Sequence, residues 1–349
     1  MINPLNLYKY LPLLLRKRFK QKYIIIESDD WGLQGSIDDT GIRFLRKNYQ
    51  KESFTRWTTD SLETVEDLEL LFDVLNKYKY EFECPPKITA NFITHNIDYD
   101  KKTELSFTPL NQLLIKNKIL KKKYFEGING GIIYPQLHGY CHYNIDTLRD
   151  FYLTDEGRKL FDQGFLTGQN TLKGSSPKFR SEFSKFNFDV KEKLKISIDE
   201  FNNVFNFSPE SIIPPHFIIE APCLDLLTGY GIKAIQASNR LINFKGDRYR
   251  KIFFRKQNNI HWMPRNVRLD PHPDYNYYSK DCISQIDKAF SLKMPAIIDF
   301  HRVNISGRFN SNYRDKSLNE LDIVFKIVKA KWPDAKFIST SDFIQLCLI

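Results

Sequence analysis

The sequence predicts an α/β fold, a parallel sheet with barrel-like closure, built as a single domain over residues 1–349. Short β-branched runs alternate with amphipathic helical patterns, the order that sets parallel strands beside crossover helices. No repeat, low-complexity tract or compositional break marks a linker. Asp and His residues fall at or just past the C-terminal ends of the strand-like runs, the edge where parallel barrels carry functional groups.

Residues 1–21 read as a basic N-terminal helix. Leu11-Pro12-Leu13-Leu14-Leu15 is too short to span a bilayer. Arg16-Lys17-Arg18-Phe19-Lys20 follows it, where a leader peptide would place small residues. The plain reading is a solvated basic face, and the sharper one is peripheral contact with the inner face of an anionic membrane. Lys22–Ser28 is a buried-strand run ended by Asp29-Asp30-Trp31-Gly32. Asp60-Ser61-Leu62-Glu63 resembles a capping box opening a helix with Leu62, Val65, Leu68, Leu71, Phe72 and Leu75 on its apolar face. Lys87–Thr94, Gly131–Leu137 and Pro295–Phe300 read as strands, with shorter candidates at Ser211–Ile213 and Ile232–Gln236. Asp281–Phe290 and Ser317–Trp332 read as helices, the second stopped by Pro333, and residues 240–280 read as a long loop insertion.

Composition narrows the class. The chain has 349 residues, 42% apolar and 27% charged, the balance of an ordinary soluble globule. Its net charge of +10 comes from scattered Lys and Arg, with short clusters at 16–22, 116–123 and 248–256. No recognition motif accompanies them, so nucleic acid is not expected as a partner. Cys84, Cys141, Cys223, Cys282 and Cys347 show no paired spacing, which excludes a disulfide scaffold and favours a reducing, cytoplasmic setting. No oligomeric state follows from these features.

Chemistry concentrates in a few segments. His138 and His142 are four residues apart, so on a helix both rings would share one face and could hold one cation. Cys141 between them reads as a small packing residue. Adjacent carboxylates at the end of an apolar strand are costly unless compensated. Glu27 and Asp29 share a strand face while Asp30 points elsewhere, so one carboxylate can bind a metal and its neighbour can act as a base. His301 closes the last strong strand on the same edge. His95 is either a cleft residue or a hydrogen-bonded structural one, and His261 and His272 carry no role.

Together these segments resemble the NodB-type polysaccharide deacetylases, metal-dependent enzymes whose motifs are Asp-Asp-Gly, His-x-x-x-His, Arg-Pro-Pro and a late Leu-His. The counterparts here are Asp29-Asp30 with Trp31 before Gly32, His138 and His142, Ile213-Pro214-Pro215-His216, and Asp299-Phe300-His301. The order matches and the resemblance spans residues 22 to about 302. It is closer to a divergent branch found among bacterial surface-polysaccharide genes, through Ser28–Gly32, Pro135–Gly139 and His301–Asn304. The resemblance implies a distorted (β/α)7-type barrel and one divalent ion, zinc being expected, on Asp30, His138 and His142. It implies Asp29 as base and His301 as acid. Trp31, Tyr140, His216, Arg265, Asn266 and Arg302 would then face a carbohydrate substrate, as would Trp262 and the Tyr275–Tyr278 cluster.

The implied reaction is removal of an N- or O-linked acetyl group from a sugar of a bacterial surface polysaccharide or its precursor. One departure stands out: Ile213 occupies the position of the motif Arg that pairs with the base. Arg265 or Arg302 would have to supply that cation, and Arg265 is expected beside Asp29. A glycoside hydrolase using Glu27 or Asp29 is one alternative, which would leave the His pair without a purpose. A sugar-binding barrel without activity is another.

Overall fold

A computed structural model describes residues 14–48, 56–101, 103–164, 181–185, 187–238, 241–243, 245–249, 251–257, 259–273 and 275–348. The strands are β1 (Tyr23–Trp31), β2 (Ile88–Ile93), β3 (His95–Ile97), β4 (Phe107–Pro109), β5 (Ile133–Gly139), β6 (Ser211–Ile212), β7 (Ala234–Ala237), β8 (Lys256–Gln257), β9 (Ile260–Pro264), β10 (Val267–Arg268), β11 (Ala296–Asp299) and β12 (Lys336–Phe337). The parallel path runs β11–β1–β2–β5–β6–β7–β9, and β10 returns to β11.

The return closes the sheet. β9 and β10 are two halves of one strand path that changes neighbour at Arg265 and Asn266. The Arg265 amide donates to the Ala237 carbonyl of β7, and the Asn266 amide donates to the Ile297 carbonyl of β11. One kinked segment therefore bridges both ends of the sheet, and its kink aims Arg265 inward.

Ile24, Ile25 and Ile26 of β1 are fully buried, as are Ile297 and Ile298 of β11, because a closed parallel sheet is covered on both faces. Helices 65–76, 118–129, 188–205, 279–291 and 311–331 contribute buried faces to the surrounding core. Register shifts between Ser28 and Trp31, and Asp30 there takes a left-handed φ of 69°. This bulge re-aims the strand end that carries the paired carboxylates.

Several local expectations change. The helix after Asp60 begins at Val65, with Thr64 as N-cap in a capping box with Asp67, so the expected box Asp60–Glu63 is not the one used. Asp60 and Glu63 instead bind a buried arginine. The 240–280 segment is not simply an insertion, since it supplies β9 and β10. Of the N-terminal segment, residues 1–13 lie outside the described residues, and Lys17–Phe19 is not helical. Arg16 Nη2 donates to the Leu292 carbonyl at 2.5 Å, and Lys17 Nζ donates to the Leu346 carbonyl at 3.0 Å. Part of the basic cluster thus caps backbone carbonyls, the Leu346 one at the C-terminal end of the 340–348 helix, where a cation complements the helix dipole. Among the described residues no helix is long and apolar enough to cross a membrane, and the cysteines are free.

Candidate active site at the C-terminal edge of the barrel

The ends of β1 and β5 bring Asp30, His138 and His142 together. Asp30 Oδ1 lies 3.3 Å from His138 Nε2 and 3.4 Å from His142 Nε2. The helical route expected for the two histidines is not the one used. His138 is in β5, His142 is in the following loop at φ 76°, and the helix starts only at Ile145, capped by Asn144. A strand end and a tight loop converge where successive helical turns would have run parallel.

Glu182 shapes that loop. Its Oε1 accepts from the Tyr140 amide at 2.8 Å and its Oε2 from the Cys141 amide at 3.0 Å. Gly139, at φ 114°, leaves the space: a Cβ there would sit 1.8 Å from Glu182 Oε1. Burial pushes the Glu182 carboxyl up to about 7 despite these amide donors. Sequence reading missed Glu182, because nothing local ties it to a loop 40 residues away.

The donor set fits a metal. His138 Nδ1 lies 2.8 Å from the Ile213 carbonyl, which can only accept, so Nδ1 carries a hydrogen and Nε2 is the ring atom turned toward Asp30. Against burial, the hydrogen bond to Asp30 raises the His138 pKa and keeps a proton on Nε2 that a cation would displace. Asp30 Oδ1 and His142 Nδ1 are buried with no hydrogen-bond partner among the described residues. Ligand atoms of Asp30, His138 and His142 all lie within 4.8 Å of one another. The Nε2 atoms of both histidines and Asp30 Oδ1 converge closely enough to hold a cation between them. Burial opposes the charged Asp30 carboxylate, but His138 and His142 outweigh it and hold the group well below the usual range. Burial lowers His142 to about 4, leaving its imidazole neutral near pH 7, as a ligand must be.

On the other side of β1, Arg265 gathers the remaining carboxylates. Its Nε donates to Glu27 Oε2 at 2.8 Å, and its Nη1 to Asp29 Oδ2 and Asp299 Oδ1, both at 2.7 Å. Its Nη2 donates to Asp29 Oδ1 at 2.6 Å. Asn91 Nδ2 adds a donor to Asp29 at 2.9 Å. Burial raises the Asp29 carboxyl, but the Arg265 guanidinium overcomes it and brings the group to about 2. Burial dominates at Glu27, which rises to about 6. The cation that Ile213 cannot provide therefore reaches Asp29 from Arg265.

His301 stands beside this group. Its Nε2 is 3.9 Å from Asp29 Oδ2, and its Nδ1 is 3.6 Å from Asp299 Oδ1 and 3.7 Å from Asp270 Oδ1. Burial would lower its pKa, yet Asp299 and Asp270 raise it to about 9. Arg56 Nη1 holds Asp270 Oδ1 at 2.5 Å, and the Trp57 ring meets the His301 ring edge-on at 5.1 Å. Asp29, Asp299 and His301 are themselves close enough to hold a cation, but Arg265 already occupies both carboxylates.

A cleft of about 730 Å³ opens over both groups, bordered by Asp29, Asp30, His138, His142, His216 and His301. Trp57, Arg248, Arg268 and Tyr275 also line it. Of these, only Tyr275 was anticipated. Most expected substrate contacts do not line the cleft, Arg265 among them, since its guanidinium is taken up by Glu27, Asp29 and Asp299. Trp31 is fully buried against Phe92 and Tyr124, its Nε1 donating to Ser28 Oγ. Tyr140 stacks on His95 at 4.0 Å, so both rings pack behind the loop. Asn266 bridges the Pro295 carbonyl and the Ile297 amide, holding β10 beside β11. Arg302 is fully buried and pairs with Asp60 Oδ2 at 2.7 Å, Glu63 Oε2 at 2.9 Å and the Leu33 carbonyl at 2.5 Å. It ties the turn after β1 to the turn carrying His301. Trp262 is buried as well, and Tyr278 borders a separate cavity.

No family model matches the chain, and no curated protein matches it. Similar solved structures include a 4-alpha-glucanotransferase from Thermococcus litoralis, at 11% identity and a TM-score of 0.48. A CE4 family pseudoenzyme from Bacillus anthracis is similar at 9% identity and a TM-score of 0.44. The chain covers 40% of the first and 66% of the second, while 94% and 93% of this chain is matched. A peptidoglycan N-acetylglucosamine deacetylase is similar at 13% identity and a TM-score of 0.44, covering 94% of this chain and 90% of that one.

Proposed function

We propose that the chain is a metal-dependent deacylase that removes an acetyl group from a carbohydrate. The observation that carries this is the convergence of Asp30, His138 and His142 beside a guanidinium-held Asp29 and a protonated His301 in one cleft. Asp30, His138 and His142 would hold the ion, with zinc favoured by a nitrogen–oxygen set that leaves positions open. A bound divalent ion supplies Lewis acidity, polarising the acyl carbonyl and acidifying water.

The chain's own groups do the rest. Asp29, fixed by both guanidinium nitrogens of Arg265, is oriented to take the proton of the attacking water. Its low pKa makes it a weak base in the resting cleft, so the pairing with Arg265 serves to aim and to keep it ionised. His301, kept protonated by Asp299 and Asp270, can give its Nε2 proton to the departing amine or hydroxyl of the sugar. The Arg265–Asp29 pair supports an active barrel over a sugar-binding one, since it supplies the cation that Ile213 cannot.

The test combines metal analysis with acetate release. Protein prepared without chelator should carry one equivalent of divalent metal and release acetate from acetylated oligosaccharides. Asp29→Asn and His301→Ala should each lose ~10²–10⁴-fold in turnover while retaining metal. No acetate release from N- or O-acetylated substrates, with metal bound, would reject the proposal.

A further inference from the structure

One wall of the cleft carries an orphaned donor and an orphaned acceptor. Trp57 lies in the short 3-10 helix Arg56–Thr59, and Asp60 follows directly after it. Both border the cleft that holds the metal-ligating group. Trp57 Nε1 and Asp60 Oδ1 are buried side-chain atoms with no hydrogen-bond partner among the described residues. Asp60 is only 5% exposed, and its other oxygen accepts from Arg302, which stands behind the wall and outside the cleft. The oxygen left over, Oδ1, is the unpartnered atom of a residue that borders the cleft.

Both groups are held in place. The Arg56 guanidinium lies 4.5 Å from the Trp57 ring and 4.3 Å from the Tyr275 ring, while the Trp57 and His301 rings pack T-shaped. Asp60 is anchored through Arg302, which also grips Glu63 and the Leu33 carbonyl. A buried acceptor and donor left unmet are expensive, and such groups are kept where a ligand completes them. An indole N–H needs an acceptor and a carboxylate oxygen needs a donor. An alcohol is both at once.

We propose that Trp57 and Asp60 form a hydroxyl-reading subsite that takes a sugar ring beside the metal-ligating cluster, the indole N–H donating to a ring hydroxyl and Asp60 accepting from that hydroxyl or its neighbour. This rests on the carbohydrate reading above and assigns which wall reads the sugar. A site built to hydrogen-bond a hydroxyl discriminates strongly against ligands without one, because its own polar groups would stay buried and unpaired.

The experiment reads binding rather than turnover. A tetrameric N-acetylated chito-oligosaccharide and an acetylated xylo-oligosaccharide are titrated calorimetrically into the metal-loaded full chain, Trp57→Phe and Asp60→Asn. Trp57→Phe keeps an aromatic ring and removes the donor; Asp60→Asn keeps the shape and removes the charge. Each should weaken binding of at least one glycan by ~10-fold or more, with metal content unchanged. If Asp60→Asn does not fold, Trp57→Phe decides alone. Wild-type affinity in the variants would overturn the proposal, since the orphaned atoms would then serve an ordered water only. Failure of the wild-type chain to bind either glycan would overturn it too. Glycan binding without acetate release would reject the deacylase reading and leave this subsite standing.

Discussion

Arg265 reaches Asp29 with both terminal nitrogens, at 2.6 and 2.7 Å, from a strand 236 residues further along the chain. It does so because its own strand leaves β7 and joins β11 at that residue, so the kink that closes the barrel also places the guanidinium in its interior. Closure of the fold and alignment of the candidate base are one structural event.

Arg265→Leu would leave Glu27, Asp29 and Asp299 buried without their shared counter-charge. Breaking a buried ion pair from one side typically costs ~3–5 kcal/mol, so the denaturant midpoint should fall accordingly. Arg265→Lys keeps the charge but loses the bidentate fork and should fall between the two. A loss below ~1 kcal/mol for Arg265→Leu would show that the carboxylates are not charged together as described.

A divalent ion held by Asp30, His138 and His142, as proposed, predicts a chelator-sensitive protein. His138→Ala and His142→Ala should each lose stoichiometric metal by elemental analysis, and chelator should lower the wild-type melting temperature but leave the variants' unchanged, since a ligand stabilises only the state that binds it. Full metal retention in the double variant would place the ion elsewhere.

Glu182→Ala should weaken metal affinity ~10–100-fold, the usual cost of losing a group that orients a ligand. The loop amides of Tyr140 and Cys141 would lose their acceptor, and His142 would lose the backbone that presents it. Glu182→Gln keeps one acceptor oxygen and should recover part of the affinity. Competition with a chromogenic chelator measures both, and equal affinity in all forms would reduce Glu182 to a packing role.

His301 gives a pH prediction with a definite sign. Against burial, Asp299 and Asp270 raise it to about 9, so a general acid at His301, as proposed, stays protonated at neutral pH and kcat/KM should fall as pH rises through about 9. Asp270→Asn removes one of the carboxylates that favour the charged ring, so the alkaline limb should move to lower pH. A limb that stays in place in Asp270→Asn would separate it from His301.

Much of the barrel and part of the site were legible in the chain. Ile24–Ile26 and Ile297–Ile298 announce strands buried on both faces through β-branched runs, and Asp29, Asp30, His138, His142 and His301 stand at strand ends in recognisable order. Those features are local: a strand is read from its own residues, and a carboxylate at its end needs only the chain's turn to be placed. The strand at 260–268 escaped because it is split at its kink and half of it pairs with each neighbour.

What the sequence by itself determined, then, is the strand pattern and the chemical types available at one edge. Only the tertiary structure decided which of them meet. The sequence offers Arg265 and Arg302 as cations and favours the first beside Asp29; in the structure Arg265 spans the interior to Asp29 while Arg302 is locked behind Asp60 and Glu63. Trp31 and Tyr140 have the rings of a sugar platform but are spent on packing, whereas Trp57 and Glu182, unmarked by any motif, reach the cleft and the ligand loop. The reason is physical: periodicity reports which face of its own element a side chain occupies. Its partner across the barrel is set by register, closure and burial, contacts between segments tens to hundreds of residues apart that no local pattern encodes.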